Sequence, residues 1–365
     1  MTMRVLIVTD AWQPQINGVV RSLEALIAKS TQCEMNISLI SPNMFRTFPL
    51  PTYTEIRLAF VSARRMARLI AEQAPDCIHI ATEGPLGLSA RRACKKNGWR
   101  FSTAYHTRFP EYVAKRRLAP ASLVYRMLRR FHDDSDAVMV ATSALEQDLR
   151  ARGFKNLVRW TRGVDTDLFR PAQHRERNRE APVFIYVGRV SVEKNIEHFL
   201  RLDLPGGKVV VGDGPDRRKL ESAYPAVRFT GALEGEALAQ AYAAADVFVF
   251  PSRTDTFGLV LLEALACGLP IAAFPVMGPI DVIGDSGCGV LSEDLQAAAI
   301  AALDIPSARC REYASQFRWE ASVTQFAQAA RAGGMAFENA IATKPQQAEM
   351  APSRSAPLSA AVERA

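Results

Sequence analysis

No two cysteines of this sequence are spaced as a zinc-type pair. The six lie at 33, 77, 94, 267, 288 and 310, several of them in apolar segments. Such spacing gives no disulfide framework and favours reduced core thiols in a cytosolic protein. A clean membrane span is also missing. The most apolar long stretch, Leu259 to Val276, is interrupted by Glu263, Cys267, Gly268, Pro270 and Pro275, so a membrane would have to be met from the surface. The opening residues lack the long apolar region and small-residue cleavage site of a secretory signal and read as a first strand. No repeat of solenoid length is visible. No Gly-x-Gly-x-x-Gly follows the first strand, which argues against a NAD-dependent dehydrogenase.

What is present is ordinary globular material in unusual quantity for one core. A length of 365 residues predicts two domains. The 48 % hydrophobic and 23 % charged fractions exclude a disordered or fibrous class for the bulk of the chain. The net charge of +7 is unevenly placed: residues 1–170 carry 26 Lys and Arg against 15 Asp and Glu, leaving 19 against 23 for the remainder. A basic first half suits a polyanionic partner, anionic lipid or nucleic acid; it is equally a solvated surface that favours arginine.

Short apolar runs alternate with helix-like stretches. Val5–Val8, Ile37–Ile40, Cys77–Ile80, Phe101–Tyr105 and Ala137–Ala141 read as buried strands, with helices at Val19–Lys29, Arg64–Gln73, Leu88–Asn97 and Ser122–His132. The second half repeats the style. Strands are expected at Val183–Val187, Lys208–Val211, Val227–Phe229, Val247–Phe250 and Ile271–Phe274, and helices at Ser191–Leu200, Gly235–Ala244 and Val260–Cys267. This alternation predicts α/β architecture with parallel sheets covered on both faces. The polar, proline-bracketed stretch Phe169–Pro182 reads as a linker. Helical segments ending in Trp319–Ala332 follow residue 292, and the Pro, Ala, Ser and Gln-rich stretch from Lys344 onward predicts a disordered tail.

Ligands of open α/β sheets bind beyond the carboxyl ends of the strands, so the loops there carry the functional reading. After the first strand, Asn17-Gly18 opens a helix, where backbone N–H groups can approach a phosphate; a lone glycine there is equally a turn. Gly188-Arg189 and Glu193-Lys194 follow the strand at 183–187. Two cations five residues apart at a helix start suit a diphosphate, whose two phosphates both need neutralising, though surface cations beside a turn would read the same. Gly212-Asp213-Gly214-Pro215 is a tight turn after the next strand. The richest segment runs Pro251-Ser-Arg-Thr-Asp255-Thr256-Phe257-Gly258-Leu259 to Glu263, with a helix expected to begin near Phe257–Gly258. Its carboxylates are eight residues apart, Asp255 in the loop and Glu263 one to two turns into the helix. That spacing permits Asp255 to meet a sugar, Glu263 a ribose, and the helix N-terminus the phosphates between them. An N-capping Asp and a helix-surface Glu would be the plain alternative. Apolar neighbours around Glu263 count against it, since an unpaired buried carboxylate is expensive.

Together these segments resemble the retaining glycosyltransferases of the GT-B fold. Within them they are most similar to family 4, which includes glycogen synthase-like, mannosyltransferase and sulfolipid synthase enzymes. The resemblance covers about residues 3–335 and is most specific over 183–285. It implies two Rossmann-like, doubly wound parallel-sheet domains facing across a cleft. The expected divisions are a basic acceptor-side domain at 1–170, a linker at 171–182, a nucleotide-sugar-binding domain at 183–305, helices at 306–340 packing back toward the first domain, and a disordered tail at 341–365. By the same resemblance Arg189 and Lys194 bind the donor diphosphate and Glu263 the ribose. Asp255, Thr256 and the Phe257–Leu259 backbone, including Gly258, hold sugar and phosphate. Gly18, Gly188, Gly212 and Gly214 line the donor site. The family pattern Glu-x7-Glu is altered here, its first acid being Asp255.

The first half contains Tyr105-His106-Thr107-Arg108-Phe109-Pro110-Glu111-Tyr112, similar to the Tyr-His-Thr-x-Phe-Pro-x-Tyr segment of the mannosyltransferase and sulfoquinovosyl transferase subgroup. It implies that His106 stands beside the donor sugar. His106, Arg189, Lys194 and Asp255 are thus the expected catalytic set. Asp165-Thr166-Asp167 matches a DxD metal motif but lies in Arg162-Gly163-Val164-Asp165, which resembles an interdomain segment, so neither metal nor cofactor is expected. The implied reaction moves a hexose or hexuronic acid from a UDP- or GDP-sugar to a lipid acceptor of diacylglycerol type, with retention. Its setting would be cytoplasmic, at the inner face of the cell membrane. The basic and apolar segment Tyr112–Phe131, including Lys115, Arg116, Arg117, Arg126, Arg129 and Arg130, with Leu123, Met127 and Phe131 four residues apart, suits a helix on anionic membrane; a buried amphipathic helix with a wet basic face fits as well. Competing readings are a GDP-mannose-dependent mannosyltransferase on a mannolipid or non-lipid acceptor and a nucleotide-sugar epimerase of the same fold. A nucleic-acid partner is not expected, because no nucleic-acid module is recognisable and the second half is acidic.

Overall fold

The computed structural model describes residues 2–334 except 16, 51–52, 116–118 and 173–179. Most of the expected linker and the whole of the expected tail therefore lie outside the described residues, as do Arg116 and Arg117.

The strands are β1 Met3–Val8, β2 Met35–Ile40, β3 Thr47–Leu50, β4 Tyr53–Ala59, β5 Cys77–Ile80, β6 Ser102–Tyr105, β7 Ala137–Val140 and β8 Leu157–Arg159, then β9 Val183–Val187, β10 Gly207–Val211, β11 Arg228–Gly231, β12 Val247–Phe250, β13 Ile271–Ala273 and β14 Gly289–Leu291. They form two six-stranded sheets, ordered β2-β1-β5-β6-β7-β8 and β11-β10-β9-β12-β13-β14, with every pairing in both parallel. In each sheet the order reverses once, at β1/β5 and at β9/β12, opening a crevice at the strands' carboxyl ends. β3 and β4 pair antiparallel in a separate two-stranded sheet, in addition to the strands expected from sequence.

Alternation along the central strands explains why both faces are covered. Val5 and Ile7 of β1 pack with Leu23, Leu26 and Trp160, while Leu6 and Val8 pack on the other side with Met66, Ile70 and Leu86. β9 behaves alike: Phe184 and Tyr186 join Phe199 and Val210, whereas Ile185 and Val187 join Tyr242, Leu261 and Leu265. Each such side chain contributes about 1.5–3 kcal/mol when fully buried, and Phe184→Ala would cost about 3–5 kcal/mol.

Two expectations need correction. The stretch read as one helix over Ser191–Leu200 is a 3-10 turn, Val192–Lys194, followed by the helix Ile196–Arg201. The break is at Asn195, whose φ is +55° and whose side-chain amide donates to the Pro251 carbonyl oxygen at 3.1 Å. The tie pins Lys194 beside the loop that follows β12. In the helix Ala121–His132, Leu123 and Met127 are exposed with Arg126, Arg129 and Arg130, but Phe131 is buried against the first sheet. The outward apolar stripe thus ends one turn earlier than its spacing suggested.

The final helices divide their packing. The helix Ser307–Ala314 lies on the second sheet's helix Leu259–Ala266. The helix Trp319–Gly334 returns to the first sheet, burying Val323, Phe326, Ala327 and Ala330 beside Trp160. Where the returning chain crosses the outgoing one, the Val164 amide donates to the Phe317 carbonyl oxygen at 3.0 Å, and Arg311 donates to the carbonyl oxygens of Thr166 and Phe169 at 2.8 and 2.7 Å.

Candidate active site

The loops after β9 and β12 flank the second sheet's reversal point and hold most of the expected donor residues. Gly188-Arg189 leaves β9, and Gly212 leaves β10 close behind it. A Cβ on Gly212 would lie 1.9 Å from the Gly188 carbonyl oxygen, so glycine is what lets these two turns stack. Gly214 approaches the Val190 carbonyl oxygen in the same way. The Arg189 carbonyl oxygen accepts from the Tyr186 hydroxyl at 2.7 Å, which fixes the turn that carries its side chain.

Lys194 and Asp255 come from different loops and meet at 2.5 Å. The second carboxylate oxygen of Asp255 is buried and has no hydrogen-bond partner among the described residues. Three residues on, Gly258 takes φ +83° and starts the helix Leu259–Ala266, one residue later than expected. Among the described residues no side chain caps that helix, so its first N–H groups present a partial positive charge to the cleft. Phe257 is buried in the core beneath.

Glu263 sits in that helix and is buried. One of its oxygens accepts from Arg21 at 2.7 Å and the other from the Tyr242 hydroxyl at 2.9 Å. Burial and the Glu263 charge push the Tyr242 phenol well above its ordinary pKa, so it stays a donor. Each carboxylate oxygen retains a lone pair for a further hydroxyl.

The first sheet supplies the facing wall. Asn17 caps the helix Gly18–Ala28, its side-chain oxygen accepting from the amides of Val19 and Val20 at 3.0 Å. A Cβ on Gly18 would stand 3.7 Å from Leu259, so the two helix starts oppose each other. His106 follows β6. Its carbonyl oxygen accepts from the Thr256 hydroxyl at 2.6 Å, a direct tie across the cleft. Its Nδ1 lies 3.1 Å from Arg162 Nη2, and its Nε2 is buried with no partner among the described residues. Burial first, then Arg162, His79 and His132, hold its pKa well below the usual value. At neutral pH the ring is uncharged. A further tie joins Asp281 to the Ser143 hydroxyl and the Ala144 amide at 3.1 and 3.0 Å.

The Asp165 side chain accepts from the amides of Asp167 and Leu168, closing a turn. Among the described residues no group of three or more His, Cys, Asp or Glu is placed to hold a metal ion. Arg21, Tyr242 and Arg162 were not singled out as site residues by sequence. Arg21 and Tyr242 lie within helices where nothing in the local pattern marks a partner hundreds or tens of positions away. Arg162 carried one signal, its place just beyond the last strand of the first sheet.

Two doubly wound sheets, reversed at facing points with cations and a helix start lining the gap, define a GT-B glycosyltransferase. Residues 17–168 match the model described as Glycosyltransferase Family 4 and residues 181–305 that of Glycosyl transferases group 1. The chain is 35 % identical over 256 residues to the sulfoquinovosyl transferase of Arabidopsis thaliana, covering 65 % of this chain and only 50 % of that protein. It is 31 % identical over 317 residues to a GDP-mannose-dependent alpha-mannosyltransferase of Mycobacterium tuberculosis, covering 79 % and 83 % of the two chains. Identity to the alpha-monoglucosyldiacylglycerol synthase of Streptococcus pneumoniae is 26 %, over 82 % and 78 %. Among solved structures, sucrose-phosphate synthase from Thermosynechococcus elongatus superposes with a TM-score of 0.71 at 21 % identity, covering 89 % of this chain and 98 % of that one. The chain belongs to glycosyltransferase family 4.

Proposed function

We propose that the protein transfers a hexose or hexuronic acid from a nucleotide-sugar to a diacylglycerol-type lipid, with retention of the donor's anomeric configuration. The observation that carries this reading is the Lys194–Asp255 pair beside the uncapped helix start at Gly258, opposite His106. Lys194 and Arg189 neutralise the donor diphosphate with help from the helix N-terminus. Asp255 and the Thr256–Leu259 segment hold the sugar, and Glu263 takes the ribose. The C1–O bond to phosphate breaks as the acceptor oxygen bonds to C1 on the same face, and the acceptor proton passes to a phosphate oxygen of the leaving nucleotide. Charge grows on the diphosphate along this path, so fixed cations and dipoles stabilise the transition state more than the ground state. No resident metal or cofactor enters the scheme.

The lipid acceptor is supported by the diacylglycerol named for the streptococcal relative and by the exposed Leu123 and Met127 beside Arg126 and Arg130. That face suits the anionic surface of a membrane met from the cytoplasmic side. Among the described residues no helix is long and apolar enough to cross a membrane. A second reading, mannosyl transfer from GDP-mannose, is favoured by the mycobacterial relative, of which this chain covers 83 %.

A mass-spectrometric screen of UDP- and GDP-sugars against diacylglycerol and mannolipid acceptors tests both. A hexosyl- or hexuronosyl-diacylglycerol of retained configuration is the expected product. Product from GDP-mannose on mannolipid alone would move the conclusion to the second reading. An isomerised donor formed without any acceptor would overturn both.

A further inference from the structure

Arg162 is only 5 % exposed, and among the described residues no carboxylate pairs with it. Burying a guanidinium without a counter-charge is expensive, and a side chain serving only to pack would be apolar. Burial lowers its pKa to about 9, which leaves it charged at neutral pH. Three of its five N–H donors are nonetheless directed. Nη1 donates to the carbonyl oxygens of Trp160 and Thr161 at 2.7 and 3.2 Å, and the guanidinium lies 4.0 Å from the Trp160 ring centroid. Nη2 reaches the His106 Nδ1 at 3.1 Å.

A guanidinium can only donate. The Nδ1 facing it must therefore be the accepting nitrogen, and the ring proton must reside on Nε2. That Nε2 is the buried atom without a partner. Trp160 closes the ring's other side, edge-on, at 5.8 Å between centroids. The remaining titratable groups acting on the imidazole are His79 and His132, and both oppose a positive charge on it.

We propose that Arg162 is a positioning residue: by occupying Nδ1 it fixes His106 as the Nε2–H tautomer, which makes His106 a hydrogen-bond donor to the sugar or its departing phosphate and denies it the role of base. The inference rests on the reading of His106 as a donor-site residue, and it deepens that reading. It also accounts for where the acceptor proton goes. With Nδ1 occupied and Nε2 already protonated, the histidine cannot receive it, which agrees with the phosphate oxygen as its destination.

The test uses the full-length protein labelled with 15N-histidine, together with Arg162→Met, Arg162→Lys and His106→Gln, the last of which keeps a donor near the Nε2 position. In the unliganded wild type, His106 should show a pyridine-like Nδ1 and a pyrrole-like Nε2. Its kcat/KM should run flat through the range where an ordinary histidine titrates, around pH 6.5. Arg162→Met should lower kcat by roughly 10- to 100-fold, as when a residue that orients a functional ligand is lost, with donor KM little changed. It should also move the acid limb of His106 upward, while burial still holds it below the ordinary histidine range. Arg162→Lys, which has no fork to span both partners, should restore only part of the rate. A protonated Nδ1 in the wild type would overturn the proposal, whether or not any variant folds. So would a wild-type limb near pH 6.5 that disappears in His106→Gln. A fourth variant, His106→Ala, tests the underlying reading: full activity in it would remove the role of His106, while the wild-type spectrum would still decide the pairing with Arg162.

Discussion

Arg21 and Glu263, 242 positions apart in sequence, form an ion pair of 2.7 Å between the first helix of one sheet and the helix after β12 of the other. The buried carboxylate expected to take a ribose is thereby held from the opposite wall. Removing the cation leaves Tyr242 as its sole described partner. Arg21→Met should lower stability by about 1–3 kcal/mol, a range set by leaving a buried acceptor under-satisfied while Arg21 itself is partly solvated. Donor KM should rise as the carboxylate loses its alignment. Pairing it with Glu263→Gln in a double-mutant cycle should give less than the sum of the two single losses. Urea unfolding and donor titration measure both quantities, and simple additivity would show that the pair is not coupled.

For the cations at the head of the second sheet, Arg189→Ala and Lys194→Ala should each raise the barrier by about 2–4 kcal/mol, the range for removing one preorganised donor to a developing anion. Steady-state rates of nucleotide release provide the reading. Near-complete turnover in Arg189→Ala would contradict the scheme.

Gly212 leaves no room for a methyl group, since a Cβ would meet the Gly188 carbonyl oxygen at 1.9 Å. Gly212→Ala must push the two turns apart. A stability loss of about 1–3 kcal/mol is expected, together with weaker nucleotide binding by calorimetry. Unchanged nucleotide affinity would mean that the stacked turns do not shape the donor site.

Acid should weaken the fold through its buried histidines. His79 is pushed down to about 3 by burial and by Arg162, whereas an unfolded histidine titrates near 6.5. Below that value the unfolded chain takes up a proton that the folded chain refuses. Stability therefore falls as pH drops from about 6.5, by at most about 1.4 kcal/mol per pH unit for each such histidine, and the loss levels off near the folded pKa. His106 acts in the same direction. Urea midpoints across this range should show a shallower slope in His79→Asn.

Leu123→Asp with Met127→Asp should abolish co-sedimentation with anionic vesicles at low salt and leave transfer to a soluble acceptor analogue intact. Undiminished vesicle binding would move the contact to another surface.

Much of this was legible in the sequence because it is periodic or local. The runs Cys77–Ile80, Val183–Val187 and Val247–Phe250 read as strands with the bounds they have, since a fully buried parallel strand is a short apolar run between turns. β8 and β14, at three residues each, are too short to show a pattern. β3 contains Pro49, which obscures a strand signal. Within the site, Lys194 and Asp255 were identifiable from loop position and charge, but their meeting depends on Asn195 breaking the expected helix. Glu263 and His106 each have one partner from the opposite half, Arg21 and Thr256, and sequence spacing carries no information about which residues face each other across a gap.

The chain crosses between its halves and returns along the same line, stitched where the Val164 amide meets Phe317 and where Arg311 grips the outgoing carbonyl groups. A paired tether of this kind swivels readily but resists shear and separation. Any opening of the cleft is therefore expected to proceed as a rotation about that line, which would part Thr256 from His106 and Glu263 from Arg21.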